Sequence, residues 1–332
     1  MMNLQSNVAV ARTGAGSQGG SARLVARGPG AGAQAPKGVT ADDLLAHPAL
    51  GDCIRNQAQA LLLLHQHSPR TASPFATQQR WLVSQAALAK YFRNEAAMAG
   101  SGVLSERLVN VIADQGLASR NTASAFIREM LKYGVVRHLA GTEGRRHRPI
   151  EPSPETLAAL ALWLSIHLAT LDALDGGERV AALCADRSLL GAVQPLIADG
   201  LLASRAVREP SKTFSLFTWI NDGGIVMDRL IAGCRHGAGG AKRILTDVES
   251  VSALAQRLKL SRTQLGRKIA AAEAMGSLGW SGTRGKSTMW VSDEFWREYH
   301  IAQAVKLTII DAAFVACFEG ARRPAVEEAL SA

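Results

Sequence analysis

Residues 119–148, which read SRNTASAFIREMLKYGVVRHLAGTEGRRHR, decide the predicted fold. Ser119 is a residue type that caps helices, because its side-chain oxygen accepts a hydrogen bond from a backbone N–H of the first turn. Apolar residues then recur at helical spacing and form one face: Ala123, Ile127, Met130 and Leu131. Gly134 ends this helix, since glycine readily adopts the left-handed conformation found after helices. Residues 135–139 (VVRHL) suit a strand, and the turn at 141–144 leads into three arginines.

The polar residues of this segment suit contact with double-stranded DNA. A helix can enter the major groove and meet base edges there, while arginines of an adjacent hairpin meet phosphates or the minor groove. The alternative is that the cations form only a solvated helix face. The candidate DNA-binding residues of the first segment are Ser119, Arg120, Asn121, Thr122, Ser124, Arg128, Arg145, Arg146 and Arg148.

The same pattern occurs again at residues 261–289, which read SRTQLGRKIAAAEAMGSLGWSGTRGKSTM. Ser119 aligns with Ser261 and Gly134 with Gly276 at an offset of 142 residues, and the two hairpin turns align at an offset of 141. The offset of 142 also relates Ser73 to Ser215, Phe75 to Phe217 and Leu88 to Leu230. We interpret this as a tandem duplication, which sets the architecture. The second copy adds the candidate DNA-binding residues Ser261, Arg262, Thr263, Gln264, Arg267, Lys268, Arg284 and Lys286.

The distribution of charge favours these two segments as a binding surface. The chain of 332 residues carries a formal net charge of +9, and its pI is about 9.8. Residues 119–148 hold seven positive and two negative side chains, and residues 257–291 hold seven positive and one negative. The positive excess therefore lies in these segments and indicates a polyanionic partner. The length suggests about two domains, and a hydrophobic content of 47% favours a globular chain.

The chain divides into four predicted regions. These are a disordered, basic, Gly/Ala-rich tail (1–40), a first winged-helix repeat (41–180), a second winged-helix repeat (181–325) and a short tail (326–332). Each repeat ends in a long apolar helix, at residues 155–174 and 293–318. About 20 apolar residues can span a membrane. Asp172 and Asp175 argue instead for a helix buried between the two halves.

Shorter helices are predicted ahead of each of these long ones. The periodicity places them at residues 50–67, 75–92, 104–115, 188–204, 213–234 and 248–260, with glycine-rich loops at 100–102 and 236–240. In each repeat the last of these helices leads through a tight turn into a recognition helix, the name used here for the helices capped by Ser119 and Ser261. The order helix, turn, helix, strand, strand is that of a winged helix-turn-helix.

No arrangement typical of catalysis or metal binding stands out. Cys53, Cys184, Cys234 and Cys317 lack CxxC or zinc-finger spacing, so small buried side chains are expected, with a redox-sensing thiol as the alternative. The eight histidines form no HExxH pair, and His65 and His67 are expected at the surface. Residues 285–287 (GKS) do not complete a phosphate-binding loop, because that motif needs glycine where Trp280 stands. We predict no enzyme activity, no cofactor and no metal.

The first hairpin and the residues after it resemble a known family. Residues 141–156, GTEGRRHRPIEPSPET, and the order of elements resemble the MarR family of winged-helix regulators. In that family a basic wing precedes an apolar strand, a Ser/Thr-Pro-Glu helix start and long dimerisation helices. Here Arg145 and Arg146 stand at the wing tip, and residues 153–155 (SPE) open the next helix. The second copy has Arg284 and Lys286 in its wing and SDE at 292–294.

The chain departs from this family in two respects. The family's Asp-x-Arg wing is replaced by EGR at residues 143–145 and by TRG at residues 283–285. Family members are generally homodimers with one winged helix per chain, whereas this chain holds two copies. The resemblance covers residues 45–325. It implies a mainly α fold with small β wings, in which two tandem winged helix-turn-helix units form an internal pseudo-dimer.

The expected function is sequence-specific binding of double-stranded DNA by a repressor-like transcriptional regulator. Because the two recognition helices differ, it would read an imperfect inverted repeat. We expect a cytoplasmic, nucleoid-associated protein without membrane contact that acts as a monomer or a weak homodimer. Two alternatives stay open: a plasmid-type replication initiator with tandem winged helices, which would read direct repeats, and a protein-interaction scaffold with degenerate winged helices.

A small-molecule effector between the helix layers is a further predicted partner. Trp163, Trp219, Trp296 and Tyr299 would line its cavity, and plain core packing is the alternative role of these aromatic side chains. A ligand bound there would change the distance between the two recognition helices and so weaken DNA binding. Heat-stability shifts with small aromatic acids would detect it.

Overall fold

The first half of the chain consists of helices and one small sheet. A computed structural model of the protein describes residues 38–67, 77–218, 223–235 and 242–330, with side chains described as far as Cys317. The elements of the first half are α1 (Ala41–Ala46), α2 (Leu50–His67), α3 (Gln78–Ala97), α4 (Ser105–Asp114), α5 (Arg120–Lys132), β1 (Val136–His138), β2 (Ile150–Pro152) and α6 (Pro154–Asp175).

Among the described residues, the second half repeats this order of elements and adds two short helices and one strand. Its elements are α7 (Arg179–Ala185), α8 (Leu189–Ala203), α9 (Arg205–Arg208), α10 (Lys212–Thr218), α11 (Gly223–Ala232), β3 (Arg243–Leu245), α12 (Val251–Leu258), α13 (Arg262–Ala274), β4 (Leu278–Trp280), β5 (Met289–Ser292) and α14 (Asp293–Leu330). The fold is mainly helical with small antiparallel strands, which confirms this part of the sequence-based prediction.

The two small sheets have the same strand order. In the second half β5 lies between β3 and β4 and pairs antiparallel with both. In the first half β2 pairs antiparallel with β1, and a single bridge between Val103 and Ile150 covers the other edge of β2. In both halves, therefore, the segment ahead of the two helices lies beside the last strand.

The offset of 142 residues holds in the structure. Helix α5 spans Arg120–Lys132 and α13 spans Arg262–Ala274, so both ends of the two helices differ by this offset. It also relates β1, Val136–His138, to β4, Leu278–Trp280. The upstream matches that involve Ser73 and Phe75 lie outside the described residues.

Helices of the two halves pack on each other in a reciprocal manner. By position in the repeat, α3 corresponds to α11 and α2 corresponds to α8. Helix α3 packs against α8, and α11 packs against α2. Likewise α1 corresponds to α7 and α6 to α14, and α1 contacts α14 while α7 contacts α6. The long helices α6 and α14 also contact each other, as predicted, and bury Leu164, Leu168, Leu307 and Ile310. Burial of this continuous apolar surface is the main force that holds the halves together.

An ion-pair cluster fastens the long helices near one end. Arg179 at the start of α7 lies 3.1 Å from Asp172 and 2.6 Å from Asp175 of α6, and 2.8 Å from Asp311 of α14. Hydrogen bonds from Arg179 hold the pKa of Asp175 below its ordinary value. Asp311 is buried and also accepts a hydrogen bond from the backbone N–H of Val39 at 2.9 Å. The cluster therefore joins three helices and the start of the described chain.

The structure corrects several sequence-based expectations. The helix predicted at 75–92 begins after the cap residue Thr77 and runs to Ala97. Within the helix predicted at 213–234 the structure describes α10 and α11, and residues 219–222 lie outside the described part. The helix predicted at 293–318 continues to Leu330. The predicted loop at 236–240 also lies outside the described residues.

Three side chains lie in other surroundings than expected. Cys184 is exposed, because it lies on the solvent side of the short helix α7, so it is not a buried apolar group. His65 is half-buried and lines an internal cavity, although a surface position was predicted. Leu162 on α6 is 48% exposed, so this helix is buried along one side only.

In the part of the chain that the structure describes, two helices are long and apolar enough to cross a membrane by length and composition alone. They are α6 and the first part of α14, Asp293–Cys317. In their most apolar windows, 33% and 44% of the residues are buried within the protein. Core helices of globular proteins meet the same test, and these two pack on each other and on α2 and α8.

Candidate functional site

The first recognition helix, α5, presents its polar residues to solvent. Ser119 caps it and accepts a hydrogen bond from the backbone N–H of Thr122 at 3.2 Å, as predicted. Ala123, Ile127 and Met130 are buried beneath it, so the opposite face points outward. Of the predicted contact residues on this helix, Ser119, Arg120, Asn121, Thr122 and Arg128 are exposed, and Ser124 is half-buried.

The second recognition helix, α13, has the same arrangement. Ser261 caps it and accepts a hydrogen bond from the backbone N–H of Gln264 at 3.4 Å. Leu265, Ile269 and Ala272 are buried on its inner side. Of the predicted contact residues here, Ser261, Arg262, Thr263, Gln264 and Arg267 are exposed, and Lys268 is half-buried. Equivalent positions are therefore accessible on both helices.

The turn of the first hairpin carries free cations. Gly141 and Gly144 adopt φ angles of 72° and 80°, a left-handed conformation that glycine tolerates without strain. Arg145 and Arg146 follow this turn and are exposed. Neither has a carboxylate partner among the residues that the structure describes. Both guanidinium groups are therefore available to an external anion.

Two predicted DNA-contacting arginines are less free than the sequence suggests. Arg148 is half-buried, and its Nη2 lies 3.9 Å from Glu143 Oε1. Arg284 in the second hairpin is exposed, but its Nη2 lies 3.0 Å from Glu273 Oε2. Lys286 stays exposed in the same turn, which lies between β4 and β5.

Two charged residues hold the recognition helices in place, and sequence reasoning did not identify either of them. Glu273 on α13 accepts hydrogen bonds from Arg284 and from the indole N–H of Trp280, so it ties the second hairpin to its helix. Glu273 is the only acidic residue in the range 257–291, which is a signal the sequence offers. Arg80 on α3 pairs with Glu129 of α5 at 2.7 Å and anchors the first recognition helix.

Polar contacts link the ends of both recognition helices to the helical core. Behind α5, Thr156 Oγ1 donates a hydrogen bond of 2.7 Å to the carbonyl oxygen of Val135. Behind α13, the hydroxyls of Thr213 and Ser277 are 2.7 Å apart. Glu298 Oε2 accepts the backbone N–H of Thr213 at 3.2 Å. Movement of α6 or α10 would therefore be transmitted to the recognition helices.

A cavity of about 360 Å³ lies between the two halves. Its wall comes from α2, α3 and α6 of the first half and from α9, α10, α11 and α14 of the second. Trp163 and Tyr299 line it, as the effector hypothesis expected. Trp296 instead packs against the ring of His300, with centroids 4.2 Å apart, and Trp219 lies outside the described residues.

Two ionisable side chains face this otherwise mostly apolar cavity. Asp228 on α11 accepts a hydrogen bond from the hydroxyl of Tyr299. Lys306 Nζ donates to Gln303 Oε1 at 3.1 Å and lies 5.8 Å from the ring centroid of Trp81. Burial raises the pKa of Asp228 to about 6, and the hydrogen bond from Tyr299 and the charge of Lys306 oppose this shift. Burial lowers the pKa of Lys306, and Asp228 opposes that shift.

The core beside the cavity contains a histidine that is held neutral. His167 on α6 is fully buried, and its Nδ1 lies 2.8 Å from the carbonyl oxygen of Trp163. Its Nε2 has no hydrogen-bond partner in the described structure. Burial and the nearby charge of Lys306 lower the pKa of His167 to about 3. No group of three or more potential metal ligands occurs among the described residues.

Comparison with known proteins yields no match for this chain. No family model matches it, and neither does any curated protein sequence or any solved structure. The resemblance to the MarR family therefore rests on residues 141–156 and on the order of elements in this chain.

Proposed function

We propose that the chain is a sequence-specific, double-stranded-DNA-binding regulator of transcription in which two winged helix-turn-helix units share one polypeptide. One observation carries this proposal. Two helices related by a constant offset of 142 residues expose polar side chains at equivalent positions, and each is followed by a cationic hairpin turn. A single exposed basic helix would be weak support for DNA binding, because such helices are common on protein surfaces. A repeated combination of helix and turn matches the two elements that contact a duplex.

The strand arrangement supports the winged-helix interpretation. In both halves a short extended segment precedes two helices, the second of which is the recognition helix. The last strand of each half, β2 or β5, pairs with that segment on one side and with the strand after the recognition helix, β1 or β4, on the other. This order places the hairpin turn beside the recognition helix. The helix can then enter a major groove while the turn reaches the backbone or minor groove on one side.

The reciprocal packing supports a DNA site with two half-sites in opposite orientations. Exchanged contacts, α3 with α8 and α11 with α2, are those expected of an approximate two-fold axis. Such an axis relates two recognition helices to half-sites about one helical turn, roughly 34 Å, apart. Because the helix residues differ, with Asn121 in one and Gln264 in the other, the half-sites should differ in sequence.

The accessible cations account for attraction to DNA of any sequence. Arg145, Arg146 and Lys286 lie in the hairpin turns, and Arg120 and Arg262 lie at the starts of the recognition helices, where the helix dipole also favours phosphate. Each phosphate contact releases counter-ions, so binding weakens as salt rises. We propose that this protein acts in the cytoplasm, on the nucleoid, as a monomer or a weak homodimer.

Selection from randomised duplex DNA tests this proposal. The purified full-length chain is incubated with the duplex pool at about 0.15 M salt, a typical physiological ionic strength, and bound molecules are sequenced after several rounds. The expected result is enrichment of an imperfect inverted repeat whose half-sites are about one turn apart. A parallel selection with the Arg145→Ala/Arg146→Ala variant controls for enrichment that does not depend on the first hairpin.

The other outcomes identify the alternatives. Enriched direct repeats would favour a replication initiator that remodels an origin. No enrichment, together with loss of all binding at this salt concentration, would favour a protein-interaction scaffold and would remove the base-reading roles of Asn121 and Gln264.

A further inference from the structure

The cavity between the two halves holds a cation and an anion that do not pair with each other. Tyr299 donates a hydrogen bond to Asp228, and Lys306 donates one to Gln303, so both partners are neutral side chains. Among the described residues, no contact within 4.0 Å joins the ammonium of Lys306 to the carboxylate of Asp228. Buried charges in proteins usually have a counter-ion or bind a ligand.

Both charged groups face the cavity. Asp228 and Lys306 belong to its wall and retain some accessible surface, while protein atoms enclose them on their other sides. This enclosure raises the pKa of Asp228 and lowers that of Lys306. A cavity that stays empty is lined by apolar groups, whereas a cavity with polar groups in its wall holds water or a ligand. Two opposite charges beside open space are instead the features of a binding site.

The rest of the wall suits a flat apolar body. The aromatic side chains of Trp81, Trp163, Phe214 and Tyr299 line the cavity together with aliphatic residues. Its volume of about 360 Å³ is large enough for a single small molecule and lies near the lower end of the roughly 300–1,000 Å³ found for ligand pockets. Aromatic walls contribute dispersion and ring-stacking contacts to a planar ligand.

We propose that this cavity binds a small aromatic zwitterion, a compact planar molecule that carries both an ammonium and a carboxylate, as aromatic amino acids do. The carboxylate of the ligand pairs with Lys306 and its ammonium pairs with Asp228. The aromatic body packs between Trp81 and Trp163. A simple aromatic acid would neutralise Lys306 only and would leave Asp228 without a counter-ion.

The position of the cavity connects such a ligand to both recognition helices. Thr156 lines the cavity and hydrogen-bonds the carbonyl of Val135, which lies three residues after the end of α5. Phe214 lines the cavity from α10, next to Thr213, which contacts Ser277 behind α13. An effect of the ligand on DNA binding rests on the proposed function, whereas binding of the ligand itself does not.

Isothermal titration calorimetry of the full chain without DNA tests the proposal. Four compounds with the same indole ring separate the contributions of the two charges: tryptophan carries both, indole-3-propionate the carboxylate, tryptamine the ammonium and 3-ethylindole neither. Titrations at pH 8 keep the carboxylate of Asp228 ionised, since its pKa is about 6. We expect tryptophan to bind at least about tenfold more tightly than each of the other three compounds.

The order of affinities decides the outcome. Equal affinities for the four compounds would show an apolar cavity without charge recognition, and tightest binding of indole-3-propionate or tryptamine would show recognition of one charge only. Either result would overturn the proposal, as would the absence of binding by all four at millimolar concentration. These comparisons use the unmodified protein, so they do not depend on the folding of a variant.

Two variants assign the charges. Lys306→Met should weaken tryptophan and indole-3-propionate about tenfold or more and should not weaken tryptamine. Asp228→Asn should weaken tryptophan and tryptamine and leave indole-3-propionate unchanged. Lys132→Met and Asp114→Asn, at exposed positions on α5 and α4, are matched controls that should change nothing. Equal effects of Lys306→Met on all four compounds would contradict the assigned pairing.

DNA binding gives a separate readout. If tryptophan binds as expected but leaves the affinity for a selected duplex unchanged, the ligand site stands and its regulatory role does not. If the selection yields no DNA site, calorimetry still tests the ligand site on its own.

Discussion

Thr156 Oγ1 donates a hydrogen bond of 2.7 Å to the carbonyl oxygen of Val135, which joins the first turn of α6 to the chain leaving the first recognition helix. Thr156 is buried, and it also lines the cavity between the halves. The same carbonyl accepts the backbone N–H of Ser153 at 3.0 Å. One side chain therefore lines the cavity and also contacts the segment that leaves the first recognition helix.

Replacement of Thr156 by valine should have a small effect on stability. The variant loses the two buried hydrogen bonds of the hydroxyl, to the Val135 carbonyl and to Ser153 Oγ at 3.1 Å. The Val135 carbonyl keeps the N–H of Ser153, and Ser153 Oγ keeps the N–H of residue 156, so neither is left unpaired. We expect a loss of about 1–2 kcal/mol in the free energy of unfolding, measured by urea denaturation. A loss above about 3 kcal/mol would mean that the hydroxyl supports more of the fold than these two contacts.

Removal of the free cations in the first hairpin should weaken binding to every DNA sequence. Arg145→Ala with Arg146→Ala removes two exposed guanidinium groups that have no carboxylate partner among the described residues. Fluorescence anisotropy over a salt series should show a lower slope of log affinity against log salt, by about 2 for two lost phosphate contacts. The control Arg187→Ala with Arg208→Ala removes two exposed arginines outside both hairpins and should leave the slope unchanged.

Truncation of the base-reading candidates should instead change sequence preference. Asn121→Ala and Gln264→Ala each remove an exposed amide from one recognition helix. We expect each variant to lose about 1–3 kcal/mol of discrimination at one half-site while non-specific affinity is retained. Selection from randomised DNA with each variant measures this. A uniform loss for all sequences would assign these amides to the phosphate backbone.

Neutralisation of Glu273 should strengthen DNA binding. Glu273 holds Arg284 at 3.0 Å and places a negative charge beside the second hairpin. Glu273→Gln removes that charge but keeps an acceptor for the indole N–H of Trp280. We expect tighter binding to all duplexes and a salt slope larger by up to about 1, as Arg284 becomes free for a phosphate. Glu249→Gln, an exposed acid on the chain before α12, is the matched control.

Weaker binding by Glu273→Gln would point in the other direction. It would mean that the contact with Arg284 is needed to hold the hairpin in the geometry that DNA requires.

His167 should make the protein sensitive to acid. Its pKa is about 3 in the folded protein against an ordinary value of 6.5, so below pH 6.5 the unfolded chain binds a proton that the folded chain does not. The contribution of His167 to stability is complete above pH 6.5 and falls as the pH drops towards 3, by about 2 kcal/mol at pH 5. His167→Phe keeps a ring against Trp163 and removes the unpartnered Nε2.

Urea denaturation of both proteins at pH 8 and pH 5 checks this. The variant should match the wild type at pH 8 within about 1 kcal/mol and lose about 2 kcal/mol less on transfer to pH 5. Other titrating groups, including Asp228, cancel in this comparison, because both proteins contain them. An identical loss in the two proteins would exclude His167 as the origin of the acid sensitivity.

The elements of the repeat could be predicted from sequence because their signals are local. Ser119 and Ser261 as caps, Gly134 after the helix and the buried positions Ala123 and Ile127 each follow from contacts within a few residues. The offset of 142 residues then reproduced the ends of α5 and α13. Periodicity and capping therefore gave the secondary structure around the surface proposed to contact DNA.

The pairing of charges could not be predicted, because it depends on contacts between distant segments. Glu273 and Arg284 are 11 residues apart and meet only because the hairpin folds back on α13. Asp228 and Lys306 share a cavity although they come from α11 and α14.

The cavity lies between two similar halves, but its charged groups have no charged counterparts in the first half. At the offset of 139 that relates the cap residues Ser153 and Ser292, the counterparts of Tyr299, Gln303 and Lys306 are Leu160, Leu164 and His167, and at the offset of 142 the counterpart of Asp228 is Ala86. A symmetric homodimer presents every off-axis effector site twice, and coupling between the two sites steepens its response. The proposed ligand site would instead occur once beside a pair of recognition helices, so we expect a hyperbolic ligand response, with one ligand per chain and a Hill coefficient of about 1. Such a chain would respond to its ligand gradually rather than as a switch.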